Sequence, residues 1–356
     1  MQLSKPWALR IAGFLAVVTA VGGLSQVVGL KYWMPRINDR SLNVYLYQRE
    51  KIEPDILIVG SSRILRGLIP ELIDTELADG LGRRTTTYTV GQLSANCYTN
   101  AMVLRDVLAS NRPPEVVIFE ASPGALNANH NRVPDALRYY ASIPDLIRAT
   151  PWLTNGARMS GAASGYFRGF ANFALYAHHL AFPHGLTAGL ERLLLWRGRM
   201  YGITTDSPDR LTSLPPKKRR WMIDRITRLS RKLHMDRYRI GGAPEAGFYR
   251  SCRLTQRYGI RLVVINPPVT DDYRRLMFSD ALTDEYLRFM AEAERSEGFI
   301  FYDLDRGVPK LTDADFMDLG HLNSDGSRTL SRYVAREILL PIMSDRDVGI
   351  RDVRSD

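Results

Sequence analysis

The chain has 356 residues, 45% hydrophobic and 24% charged, with 27 glycines and 19 prolines. This supports two ordinary domains or one large α/β domain with an insertion, and excludes a disordered, collagen-like or multi-span membrane chain. Forty-eight Lys and Arg against 38 Asp and Glu leave a net charge of +10, which suits an anionic partner without choosing among lipid, acidic glycan and nucleic acid.

The first predicted element is a membrane span. Lys5 and Arg10 precede an uncharged run over residues 11–30, long enough as a helix to cross a hydrocarbon core of roughly 30 Å. It exceeds the usual apolar region of a cleaved secretory signal, and no convincing small-x-small cleavage site follows before Gln26, so an uncleaved anchor over 1–35 is the expectation. Lys31, Arg36, Arg40 and Arg49 outnumber the charges before the span, which opposes export on a simple count. A long C-terminal domain nonetheless translocates largely regardless of its charge. The expected location is therefore the cytoplasmic membrane, single-pass, with the body in the periplasm or other extracytoplasmic space.

Beyond the anchor, residues 36–356 alternate two patterns. Short apolar, β-branched runs at 56–59, 86–90, 116–119, 262–265 and 299–302 read as buried strands, and residues 96–108, 282–296 and 324–340 read as helices. The alternation predicts a parallel five-stranded sheet covered on both faces, with ligands beyond the carboxyl ends of the strands. From about 125 to 250 the rhythm stops, which predicts a mostly helical insertion. Its aromatic stretch over 166–201 suits a buried helical subdomain or a surface facing membrane or partner. Residues 217–239 hold ten Lys or Arg against Asp224 and Asp236. Trp221, Ile223, Ile226, Leu229 and Leu233 fall about a helical turn apart there, predicting a basic amphipathic helix suited to anionic lipid headgroups or an acidic polymer. No base-reading module accompanies it, so nucleic acid is not an expected partner.

Two segments carry chemistry. In ILIVGSSRILRG, Ser61 and Ser62 follow the first strand where a helix begins, a turn that exposes a serine beside backbone N–H groups. By itself such a turn is commonly just a turn and N-cap. In FMDLGHLNSDGSRT, Asp318 and His321 stand three residues apart before the last helix, so a carboxylate can orient the imidazole that takes a serine proton.

Together these segments resemble the SGNH hydrolase superfamily, whose first block is Gly-Asp-Ser after the first strand and whose last is Asp-x-x-His. The resemblance implies a three-layer α/β/α, flavodoxin-like fold with Ser62 as nucleophile, His321 as base and Asp318 as its orienting carboxylate. In the second block, TYTVGQLSANCYTN retains Gly91 and offers Ser94 for the oxyanion N–H. The third block departs: Glu120, Ala121, Ser122 and Pro123 stand where Gly-x-Asn-Asp is expected, so the Asn donor is missing, with Ser122, Asn127 or Asn96 as spatial substitutes. Within the superfamily the chain is similar to membrane-anchored DltD-like and AlgJ- and AlgX-like proteins that work beside membrane-bound O-acyltransferases. That likeness rests on the single span, the Gly-Ser-Ser-Arg turn and VVINPPVTDDY. It implies acyl transfer or ester hydrolysis on O-acyl groups of an exported polysaccharide or envelope polymer, with an O-acyltransferase partner and no cofactor. A catalytically weak scaffold for that partner and a membrane-surface lysophospholipase or thioesterase are the alternatives.

Cys97 and Cys252 are too far apart for a zinc CxxC, and one disulfide or two buried thiols are both open. His130, His178, His179, His184 and His234 show no metal-ligand spacing, so no metal is expected.

Overall fold

A computed structural model describes residues 51–109, 112–130, 210–235, 237–306 and 309–344, with a few isolated positions before them. The chain falls into two compact units, Met1–Tyr45 with Pro134–Arg197, and Leu46–Val133 with Gly198–Asp356. The elements below belong to the second. The expected span at 11–30 and the aromatic stretch at 166–201 lie outside the described residues. Among the described residues no helix is long and apolar enough to cross a membrane.

Five short strands form one parallel sheet: β1 (Ile56–Val59), β2 (Thr87–Thr89), β3 (Val116–Glu120), β4 (Arg261–Asn266) and β5 (Ile300–Asp303). Their order is β2-β1-β3-β4-β5 with every pairing parallel, the doubly wound order whose direction reverses between β1 and β3. β1 and β3 are buried along their whole length, as the continuous Val and Ile runs require of strands covered on both faces.

The helices, in chain order, are α1 (Ser62–Gly67), α2 (Pro70–Leu81), α3 (Cys97–Leu108), α4 (Pro123–Leu126), α5 (Pro216–Ser230), α6 (Gly242–Arg257), α7 (Asp271–Met277), α8 (Asp280–Glu297), α9 (Ser324–Tyr333) and α10 (Leu340–Ser344). A π-helical stretch, Val334–Leu339, joins the last two, so the predicted closing helix runs four residues further than 340. One sheet face packs Ile56, Ile58, Val116, Ile118, Val263 and Ile265 against Ile73 and Leu77 of α2 and Leu330 of α9. The alternate residues face the other way, as the two-residue strand period dictates. There Phe119 lies 6.3 Å from Phe248 of α6, ring to ring, and Phe248 also meets Phe299.

α3 and α6 approach closely because position 247 is glycine. A Cβ there would lie 2.4 Å from the Cα of Tyr98 and 2.7 Å from the carbonyl oxygen of Cys97. Backbone cannot rotate aside as a side chain can. Gly247→Ala should therefore destabilise the protein by about 2–3 kcal/mol, even against the ~1 kcal/mol that Ala gains over Gly inside a helix. Urea unfolding measures this, and an unchanged midpoint would refute the packing argument.

The basic helix is present as α5, but its phase differs from the expected one. Met222, Ile223 and Ile226 turn inward onto a cluster of Leu211, Val269, Tyr273, Met277 and Leu319. Trp221 and Leu229 are each 51% exposed, with the Arg225 guanidinium 5.0 Å above the Trp221 ring. Met222, absent from the expected stripe, takes the place assigned to Trp221.

Candidate active site

The nucleophile turn is built by β1 and α1. Ser61 caps α1, its hydroxyl oxygen accepting from the N–H of Arg63 at 3.2 Å, which leaves Ser62 as the first helical residue. Beneath the turn lies Glu120, the last residue of β3 and only 1% exposed. Its Oε2 accepts from the Ser61 N–H at 2.5 Å and its Oε1 from the Ser122 hydroxyl at 3.2 Å. A Cβ on Gly60 would lie 2.9 Å from both the Cβ and Oε2 of Glu120, so glycine is what lets the carboxylate reach the turn. A buried carboxylate is tolerated only when hydrogen-bonded and compensated. Here the compensating charge is that of Arg63: burial works against its guanidinium, but Tyr273, Glu120 and Asp305 outweigh this and leave its pKa above the ordinary arginine value. That guanidinium sits 5.6 Å from the centre of the Tyr273 ring.

The base is delivered by a tight loop ahead of α9. Phe316 and Leu322 form an antiparallel bridge, and the N–H of Met317 donates to the His321 carbonyl at 3.0 Å. Leu319, fully buried, anchors the loop. Its carbonyl accepts from both the N–H and the hydroxyl of Thr270, at 3.1 and 3.0 Å. The loop after β4, including Pro267 and Pro268, is thereby tied to the one that carries Asp318 and His321. Asp305 holds it from the other side, accepting from the Val269 N–H at 2.9 Å and pairing with Arg274 at 2.9 Å.

These two loops bring the three sequence-assigned residues together. Ser62 Oγ lies 2.8 Å from His321 Nε2, and His321 Nδ1 lies 2.8 and 2.9 Å from the two oxygens of Asp318. Asp318 Oδ1 also accepts from the N–H groups of Gly320 and His321, each at 2.9 Å. A carboxylate only accepts, so Nδ1 carries the ring proton and Nε2 is left to accept from the serine hydroxyl. Burial pushes the Asp318 carboxyl upward, but the His321 charge and the hydrogen bonds from His321 and Gly320 prevail and hold it below its ordinary value.

The other expected substrate-binding residues divide. Ser94 lines the cleft above the triad, with a left-handed backbone (φ 57°). Ser122 lines it too, but its hydroxyl hydrogen is given to Glu120. Gly91 stands outside the lining and serves as a spacer: a Cβ there would crowd Leu65 of α1 at 3.1 Å. Asn127, expected as a substitute donor, is a structural bracket. Its amide donates to the His234 carbonyl at 2.8 Å, and its Oδ1 accepts from the N–H groups of Asn129 and Arg239. Asn96 caps α3, accepting from the N–H and hydroxyl of Thr99.

The cleft is small and open to solvent, and its remaining walls include Arg63, Ala125, His130, Ile226, His234 and Tyr273. His130 and His234 are 104 positions apart, in no shared motif, and their rings meet with Nε2 to Nδ1 at 2.8 Å. No local pattern foretells this pair. Cys97 and Cys252 are free, buried thiols, and burial, the largest influence on each, pushes both pKa values up. Among the described residues no three His, Cys, Asp or Glu side chains group to hold a metal ion.

Neither a family model nor a curated protein sequence matches the chain. Among solved structures, the chain is similar to the crystal structure of a carbohydrate acetylesterase family member from Sinorhizobium meliloti. That likeness has a TM-score of 0.33 and 12% sequence identity, and covers 81% of this chain and 96% of that one.

Proposed function

We propose that this protein is a serine esterase or acyl transferase that forms an acyl-enzyme on Ser62. The observation that carries the reading is the unbroken hydrogen-bonded chain from Ser62 Oγ through His321 to Asp318. His321 Nε2 takes the hydroxyl proton as Oγ attacks the ester carbonyl, and returns it to the departing alcohol. Asp318 holds the imidazole in the accepting tautomer and stabilises the imidazolium. The N–H of Ser62, at the first position of α1 where no intrahelical acceptor exists, and that of Ser94 are the backbone donors for the oxyanion. Water then frees the acyl group as acid, or an acceptor hydroxyl receives it. The two outcomes differ only in which nucleophile reaches the acyl-enzyme.

The substrate in this proposal is an O-acylated exported polysaccharide or envelope polymer. The protein acts outside the cytoplasmic membrane, tethered by residues 11–30, beside a membrane-bound O-acyltransferase. The apolar N-terminal run and the resemblance of the Gly-Ser-Ser-Arg and Asp-x-x-His blocks support location and partner. An open groove lined by Arg228, Arg231, Lys232 and Arg237 supports a polymer bearing anionic groups. The small size of the cleft supports a short acyl group over a long alkyl chain.

The full-length chain in detergent, given p-nitrophenyl acetate and quenched in acid, should carry acetate on Ser62 by peptide mass spectrometry, with longer acyl chains reacting more slowly. An unlabelled wild type would overturn the enzymatic reading in favour of a scaffold. A preference for long chains would favour the lysophospholipase alternative.

A further inference from the structure

Apart from its imidazoles, the cleft is lined by three charged side chains, Arg63, Glu120 and Asp318. Two of them are engaged. Glu120 accepts from the Ser61 N–H and the Ser122 hydroxyl, and Asp318 accepts from the ring and the backbone of His321. Arg63 differs. Its backbone N–H donates to the Ser61 hydroxyl oxygen, but among the described residues no hydrogen bond or ion pair engages its guanidinium. Glu120 and Asp305 act on its charge from a distance, and Asp305 is already paired with Arg274 at 2.9 Å.

Packing holds this group in place. The guanidinium carbon lies 5.6 Å from the centre of the Tyr273 ring on α7, within the range in which a cation is drawn to an aromatic face. Nη2 lies beside α4, 3.9 Å from where a Cβ on Gly124 would stand. Tyr273 and Gly124 both line the cleft, as do Ser62 and His321. The guanidinium therefore belongs to the cleft wall, on the residue that follows the nucleophile. It is charged at every working pH and carries five N–H donors in a planar fork. Desolvating such a group without partners is costly, and the open cleft is where a partner reaches it.

We propose that Arg63 is a specificity-determining residue that hydrogen-bonds an anionic group of the substrate, a carboxylate being the best match to its fork. The cleft is small, so an ester held at Ser62 brings its neighbouring atoms to Arg63. The inference rests on the serine esterase reading above and adds a negative charge close to the acyl group. With a short acyl group, that charge sits on the alcohol side of the ester. Arg63 contributes binding only, and no proton leaves it.

The experiment assays full-length wild type, Arg63→Gln, Arg63→Lys and Ser62→Ala on two matched pairs of esters. 4-Carboxyphenyl acetate against 4-carbamoylphenyl acetate places the charge on the alcohol side. The p-nitrophenyl monoester of glutarate against p-nitrophenyl pentanoate places it on the acyl side. Within each pair the ratio of kcat/KM, anionic over neutral, is compared between variant and wild type, which cancels leaving-group reactivity and any general loss of activity. Arg63→Gln should lower the alcohol-side ratio by roughly 10- to 100-fold, the worth of a hydrogen bond to a charged group. Arg63→Lys, which keeps the charge without the fork, should lower it less. A fall in the acyl-side ratio instead also supports anion recognition by Arg63 and assigns the charge to the acyl group. A merely structural Arg63 lowers both members of a pair alike, so unchanged ratios in both pairs, with Ser62→Ala inactive, overturn the role of Arg63 alone. If Arg63→Gln does not fold, the wild type decides. 4-Acetamidobenzoate or glutaramate should then slow phenylglyoxal modification of Arg63, read by peptide mass spectrometry, more than the neutral 4-acetamidobenzamide and glutaramide do. Equal protection by acid and amide overturns the inference. Activity surviving in Ser62→Ala overturns the esterase reading, and the inference with it.

Discussion

Ser62→Ala is expected to lower ester turnover by roughly 10⁴- to 10⁶-fold while leaving KM and the fold nearly intact, the loss seen when one member of a Ser-His-Asp unit is removed. The size follows from the loss of covalent catalysis: without Oγ there is no acyl-enzyme, and His321 is left able only to activate water. The stability cost is small, because Ser62 is half-buried and the bond it loses, to His321 at 2.8 Å, is a side-chain bond at the edge of a cleft, worth about 1 kcal/mol net. Steady-state hydrolysis of p-nitrophenyl acetate, with circular dichroism as the fold control, makes the comparison. Turnover that persists in the variant at the wild-type rate would move the chemistry elsewhere. The two cysteines are poor candidates for that role. Both are buried and free, with burial raising both pKa values, and the attacking form of a cysteine is its thiolate.

Strands were the most legible part of the sequence, because a strand buried on both faces must be apolar at every position. The runs at 56–59, 116–119 and 262–265 fall on β1, β3 and β4 within a residue at each end. Ser62, Asp318 and His321 were legible for a different reason. Each lies in a short segment whose local conformation, a strand-to-helix turn or a loop closing on its own backbone, requires that order of residues. What could not be read depends on contacts between distant segments. Asn127 looked like a free amide near the site, yet a loop more than 100 residues later claims it. Glu120 looked like a defect in the third block and is instead the brace under the nucleophile turn. The phase of α5 held at Ile223 and Ile226 and failed at Trp221 and Leu229, because a helix this basic has two apolar stripes. Trp221 with Leu229 and Met222 with Ile226 are each spaced at about two or one turns, and only the cluster around Leu319 decides which is buried.

The same logic bears on the third member of the triad. Asp318→Asn keeps an oxygen to accept from the N–H groups of Gly320 and His321, so the loop should hold its shape. The new amide nitrogen, however, faces His321 Nδ1 and can only donate. The ring proton is then driven to Nε2, where it points at Ser62 Oγ instead of accepting from it. A fall in kcat of roughly 10⁴-fold is expected from the wrong tautomer alone. Stability adds a second, independent reading. The folded-state pKa of Asp318 is depressed, chiefly by His321 and the two N–H donors acting against burial. Its carboxylate therefore stabilises the fold fully above its unfolded value of 3.8, and that contribution is lost as the pH falls through the lower folded value. Wild type should accordingly exceed Asp318→Asn in urea-unfolding stability at neutral pH, with the gap closing below that value. A gap that stays constant down to strongly acidic pH would mean that Asp318 supports the loop by shape and not by charge, and the imidazolium would lose its electrostatic partner in the mechanism.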